Sequence, residues 1–215
     1  MEVVVVVAGL SGVIWGFVAD RIGARWPAHE DGSIRKVDWR TGAVLVAGAA
    51  GFALFVGRYG DEPRALAFLA PVVAALVVLF ATDLDQRLLP NLLTYPIAAY
   101  ALVGFVTGTG PFVRTPGELA ISAVAAIAVP GVLYALSVPF GAGAIGIGDL
   151  KLLVGLGLLV GPSRLVATVV VGAIAAAVGI LLLLAARRIT LKSYVPYGPF
   201  LIIGAIWAVT ISRTG

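Results

Sequence analysis

Asp83 and Asp149 are carboxylates set at the ends of apolar runs. Asp83 follows a long apolar stretch and opens Asp83-Leu84-Asp85-Gln86-Arg87-Leu88-Leu89-Pro90. Asp149 ends Gly146-Ile147-Gly148-Asp149, just before Leu150-Lys151-Leu152-Leu153. An ionised group in or beside a membrane segment is costly, so such residues mark functional sites. A pair of carboxylates suits acid/base chemistry of the aspartic-protease kind. One carboxylate activates water while the other protonates the carbonyl oxygen or the leaving amine. Like charges a few ångströms apart cannot both ionise, so the two groups titrate as a coupled unit.

The neighbouring residues support or compete with this reading. Gly141, Gly143, Gly146 and Gly148 strip side chains from around Asp149, letting backbone approach a substrate strand or another helix. The same pattern also suits a small-residue packing motif with Asp149 as an interfacial cap. Asp149 precedes an apolar run, where the helix dipole favours an anion, and Asp83 ends one, where it does not. That contrast puts the shared proton on Asp83 and the charge on Asp149. Asp85 is the rival of Asp83; two positions apart on a helix, they point to different faces. The other member is then a solvated carboxylate beside Arg87 or Lys151. Pro90 restarts the chain, Asn91 can cap the fourth span, and Lys151 can steady the pair or meet a lipid phosphate. The chain has no cysteine and one histidine, His29. Thiolate zinc sites, disulfides, cysteine nucleophiles and a histidine metal cage are therefore excluded, and no metal or cofactor is expected.

These residues must be positioned by membrane helices. The 215 residues are 60% hydrophobic and 12% charged, with a mean hydropathy of +1.07. A soluble domain has about 25% charged residues, so the chain reads as an all-α polytopic membrane protein. Eight spans are expected: Val3–Ala19, Gly42–Val56, Ala65–Thr82, Asn91–Val106, Leu119–Val138, Leu150–Val160, Leu165–Ala186 and Tyr197–Ile211. The second, fourth, sixth and eighth are short of the roughly 20 residues a span needs. Met1-Glu2 before Val3 lacks a basic flank, and no small-residue cleavage site is obvious after it, so the segment reads as a first span rather than a removed signal. The odd-numbered loops hold ten basic residues; the even loops and tails hold five, Arg58, Arg64, Arg114, Arg164 and Arg213. The positive-inside rule then places the odd loops in the cytoplasm, both termini outside, and Asp83 and Asp149 on the same cytoplasmic side. The net charge of +4 reports topology rather than nucleic-acid binding. The polar stretch Asp20 to Arg40, with Trp26 and Trp39, reads as an amphipathic connector on the headgroups, with a substrate-contacting role as the alternative.

Three blocks, in order, resemble a known family. Asp83-x-Asp85 with Leu88-Leu89-Pro90-Asn91 and Leu93-Thr94-x-Pro96 resembles the first aspartate block of the prepilin peptidases, type IV leader peptidases among the Gly-x-Gly-Asp intramembrane aspartyl proteases. Gly146-Ile147-Gly148-Asp149-Leu150-Lys151-Leu152 is similar to the second block, and Tyr197-Gly198-Pro199-Phe200-Leu201 to the element opening the last helix. The resemblance covers about Ala65 to Trp207. It implies that Asp83 and Asp149 are the catalytic pair, that Asp85 is auxiliary, and that Gly198, Pro199 and Phe200 shape the cavity floor. Larger members carry a cytoplasmic domain with paired Cys-x-x-Cys zinc ligands and methylate the product from S-adenosylmethionine. Without cysteines and with a short first loop, this chain is not expected to bind zinc, and an unmodified product N-terminus is expected.

The sequence thus reads as two N-terminal spans with a basic connector, residues 1–64, and a six-helix peptidase core, residues 65–215. The implied activity is removal of basic leaders from type IV prepilins or pilin-like precursors at the inner (cytoplasmic) membrane, with the lipid bilayer as surroundings and no nucleic acid as partner. Alternatives are a preflagellin-type peptidase and, outside enzymes, an ion- or proton-coupled transporter.

Overall fold

The computed structural model describes residues 2–29, 32–140, 145–188, 190 and 197–210. Gly141, Gly143 and Lys192 lie outside the described residues. Among those described, the chain is helical and forms no strand. The helices are α1 (Glu2–Gly23), α2 (Trp39–Tyr59), α3 (Pro63–Gln86), α4 (Asn91–Val106), α5 (Pro116–Ser137), α6 (Ile147–Val160), α7 (Pro162–Ala185) and α8 (Gly198–Thr210). A short 3₁₀ turn, Val138–Phe140, comes after α5.

Each expected apolar segment falls in one of these helices to within a residue at its ends, Ile211 lying outside the described residues, and α1, α2, α3, α5 and α7 are long and apolar enough to cross a membrane. The second segment is longer than expected, at 21 residues, because Asp38 starts α2 early. Its side chain accepts from the Arg40 N–H at 2.9 Å, completing a capping box with Thr41. The helices α4, α6 and α8 stay short, at 16, 14 and 13 residues. Large aliphatic side chains such as Val6, Leu10, Ile127 and Leu181 stand exposed on α1, α5 and α7. Water would not tolerate so much bare apolar surface, but lipid does.

The centre of the bundle is α3, the most buried of the long apolar helices. It packs against α1, α2, α4 and α8. Leu69, Leu76 and Leu79 of α3 share one core with Leu152, Leu153 and Leu156 of α6 and with Leu201 and Ile202 of α8. Lipid is as apolar as leucine, so helices associate where small residues let backbones touch. The α1–α2 seam is of this kind: a Cβ on Gly48 would lie 2.3 Å from the Gly12 carbonyl oxygen. Gly48→Val should therefore force these helices apart, lowering thermal stability in detergent by about 1–3 kcal/mol, the usual cost of overpacking. An unshifted melting curve would contradict the close approach.

The helices pair end to end. At the end away from Asp83, the Tyr59 hydroxyl donates to the Val209 carbonyl at 2.9 Å and Arg164 Nη1 to the Ala208 carbonyl at 2.7 Å. The buried Arg164 guanidinium, 4.2 Å from the Phe112 ring centroid, thus serves the negative end of α8. The start of α8 consequently lies at the other end of the bundle, beside Asp83.

Candidate active site

Asp83 lies inside the last turn of α3, one turn further into the helix than a run-end position suggested. Arg87 stops the helix in a left-handed conformation (φ 56°, ψ 38°), and its N–H donates to the Asp83 carbonyl at 2.9 Å. This turns the chain sharply into Leu88, Leu89 and Pro90. Asp149 sits in the first turn of α6, whose N-terminal flank is Gly146. Its carboxylate folds back toward the Gly146 backbone N–H.

Both carboxylates are almost buried, at 5% and 7% exposure, yet both line one cavity of about 460 Å³. Among the described residues, Asp83 Oδ2 is buried without a hydrogen-bond partner. Asp149 faces the same cavity from the start of α6. The remaining wall comes from Pro27, from the 87–91 turn with Pro90, and from Gly146 to Gly148. Gly148 allows this closure, since a Cβ there would lie 2.9 Å from the Leu89 Cβ. An orphaned carboxylate oxygen beside a second carboxylate, facing a cavity that holds a peptide-sized group, can hold a water and share a proton across it.

The start of α8 abuts the pair. A Cβ on Gly198 would lie 2.3 Å from Asp83 Oδ2 and 2.9 Å from Oδ1. Asp83 therefore faces the positive end of α8 as well as the negative end of α3. The start of α8 offsets part of the helix-end contrast that α3 and α6 set up between the two carboxylates. Pro199 is buried behind Gly198, while Phe200 turns from the cavity: a Cβ on Gly179 of α7 would lie 2.7 Å from its ring. None of the three forms the cavity floor: Gly198 packs against the Asp83 carboxylate, and the cavity is lined by other residues.

Three other expectations are corrected. Asp85 is neither solvated nor paired with Arg87 or Lys151. Its side chain is 2% exposed, with His29 Nε2 at 3.0 Å, Arg35 Nε at 2.8 Å and Arg40 Nη1 at 3.0 Å. Long-range ion pairing in a partly dry helix joint outcompetes a neighbour on the same turn. Asn91 does not cap α4; its Oδ1 accepts from Lys151 Nζ at 3.0 Å, and Lys151 also lies 5.1 Å from the Tyr95 ring centroid. Lys151 lines the cavity but is held at its α4 side. The connector does more than lie on headgroups. Pro27 enters the cavity wall, and Gln86 Nε2 donates to its carbonyl at 2.6 Å. Pro27 and Gln86 are site-building residues to which sequence reasoning gave no role; the concentration of polar residues between Asp20 and Arg40 in so apolar a chain was the signal for Pro27, and the Asp83–Pro90 block held Gln86 and the 87–89 turn. Among the described residues, no three His, Cys, Asp or Glu side chains converge as metal ligands would.

Comparison with known proteins bears on this geometry. A family model described as the type IV leader peptidase family matches residues 70–185, which include both Asp83 and Asp149. Proteins named prepilin leader peptidase/N-methyltransferase in two strains of Burkholderia pseudomallei are 33% identical over 184 residues, covering 85% of this chain and 53% of each relative. One of the same name from Pseudomonas putida is 30% identical over 152 residues, 71% of this chain and 52% of the relative. The chain therefore spans about half the length of the curated relatives it matches. No solved structure matches significantly. The family match covers more than half of the chain and contains both acidic blocks, so the chain belongs to the type IV leader peptidase family.

Proposed function

We propose that this chain is a membrane-embedded aspartyl endopeptidase that cleaves the leader of type IV prepilins or pilin-like precursors, with Asp83 and Asp149 as its catalytic pair. One observation carries the reading: two nearly buried carboxylates, from helices far apart in sequence, line a single cavity at one end of the bundle. One carboxylate takes a proton from water as its oxygen attacks the scissile carbonyl; the other gives its proton to the carbonyl oxygen. The tetrahedral intermediate then collapses as the leaving amine is protonated, and the shared proton returns to the pair. Gly146 and Gly148 keep side chains out of the way of the substrate backbone, Gly198 leaves room for the Asp83 carboxylate, and Pro90 and the 87–89 turn bound the cavity. Co-expression with a type IV prepilin should yield a shortened product on a gel. An unshortened prepilin beside well-inserted protein would count against the reading. Methyl transfer is left out of the proposal, since the first loop is short and carries no cysteine.

The same reading takes all eight helices as spans of the inner membrane, both termini outside, and the dyad at the cytoplasmic face, with residues 1–64 as a front hairpin and 65–215 as the core. The basic-residue asymmetry supports this orientation. The chain has no native cysteine, so single cysteines report cleanly. Lys36→Cys and Leu88→Cys should react with an impermeant maleimide from the cytoplasmic side only, and Asp61→Cys and Arg114→Cys from outside only. Outside labelling of Leu88→Cys would overturn the orientation.

A further inference from the structure

The dyad chemistry makes no use of the charged cluster at the joint of α1, α2 and α3. Asp85 is not part of the cavity wall. It lies among His29, Arg35 and Arg40, all from the connector or the start of α2. Arg35 extends the cluster. It pairs with Asp20, a wholly buried carboxylate in the last turns of α1, and at 2.7 Å with Asp38, which caps α2. Asp20 also accepts from the Thr41 hydroxyl at 3.0 Å. Next to Asp85, Gln86 holds the Pro27 carbonyl. Gly23, at the end of α1, packs onto Ala81 of α3; a Cβ there would lie 3.2 Å from the Ala81 Cβ. The end of α3 that carries Asp83 is therefore the anchor of the connector, and Pro27 from that connector forms part of the cavity wall.

A purely structural cluster would need no continuity with the cavity. Here the tether and the wall are two residues apart on both partners: His29 beside Pro27, and Asp85 beside Asp83. We propose that Asp85 is a positioning residue for peptide hydrolysis, holding the connector through His29, Arg35 and Arg40 so that Pro27 closes one side of the cavity around an extended substrate backbone. This rests on the peptidase reading above. Asp85 touches no reacting atom. Its loss takes from Arg40 and His29 the carboxylate they meet and leaves Arg35 with Asp20 and Asp38 alone, so the stretch around Pro27 loosens from α3 and substrate contacts weaken in ground state and transition state alike. Uniform loss of binding appears in KM and spares kcat.

The test uses the full chain in lipid or detergent and a purified type IV prepilin with its basic leader. Asp85→Asn should raise KM about tenfold with kcat within about threefold, the pattern of lost uniform binding. His29→Gln, a milder change, should move KM in the same direction by less, and Asp85→Glu should restore KM toward the parent value. A second readout does not depend on cleavage. In a Leu89→Cys chain, adding Asp85→Asn should speed maleimide labelling of the cavity wall several-fold. An unchanged KM, a fall in kcat alone, complete inactivity like that expected of Asp83→Asn, or unchanged labelling would each overturn the proposal. If the parent chain does not cleave the prepilin, the peptidase reading fails, and the labelling rate still decides whether Asp85 tethers the wall.

Discussion

Asp83→Asn and Asp149→Asn should each abolish leader cleavage while the protein inserts and folds as before. Asparagine keeps the shape of the side chain and most of its hydrogen bonding, but it can neither take a proton from water nor hold the shared one. Members of a catalytic unit fail together, so the expected loss is about 10³-fold or more for either change, and the double variant should be little worse than the single ones. Stability should not suffer. Both carboxylates are nearly buried and Asp83 Oδ2 has no hydrogen-bond partner among the described residues, so neutral replacements remove a desolvation cost. The pair thus makes two claims at once: activity is lost and the melting temperature in detergent holds or rises. Cleavage at the parent rate by either variant would remove that residue from the dyad. Inactivity with a collapsed melting curve would mean that the two acids serve the fold.

The candidate site was legible because charge in an apolar chain is costly. Asp83 and Asp149 stand out at the ends of apolar runs, and their surrounding Pro90, Gly146 and Gly148 are visible in the same short blocks. The helices were equally legible, since runs of about 20 apolar residues have few other uses. Their ends were less so. The start of α2 depended on the Asp38–Thr41 capping box, and the depth of Asp83 in α3 on a left-handed Arg87. Neither leaves a trace in hydropathy.

Long-range pairing was the part that spacing could not supply. Asp85 has a same-turn cation within reach in Arg87, and nothing local says that Arg35 and Arg40 will take it instead. Lys151 likewise has the dyad nearby in sequence and reaches Asn91 of α4. In both cases the choice is set by which helices pack together: α1 and α2 against α3, and α4 against α6. Those packings rest on glycine contacts such as Gly23 on Ala81 and Gly155 on Ile97, where side chains are missing rather than present. Sequence patterning, which counts side chains, is least sensitive there.

The closest of these glycine contacts to the chemistry yields the second large effect. Gly198→Ala should lower kcat for leader cleavage by about 10²-fold, the scale on which a misplacement of roughly 1 Å at a catalytic group is felt. The added methyl would stand 2.3 Å from Asp83 Oδ2 and 2.7 Å from its Cγ. Gly198 lies in helical backbone, so alanine is barred by space and not by dihedral preference. One side must move. α8 is held at its far end by Tyr59 and Arg164, while the Asp83 side chain has a cavity in front of it. The carboxylate should therefore swing, breaking its alignment with Asp149 while the bundle stays assembled. Gly131→Ala is the matched control, since a Cβ there meets nothing within 4 Å. It should leave cleavage unchanged. Parent-like kcat for Gly198→Ala would show that the start of α8 does not press on Asp83. A loss matched by Gly131→Ala would show that the effect is not local to the dyad.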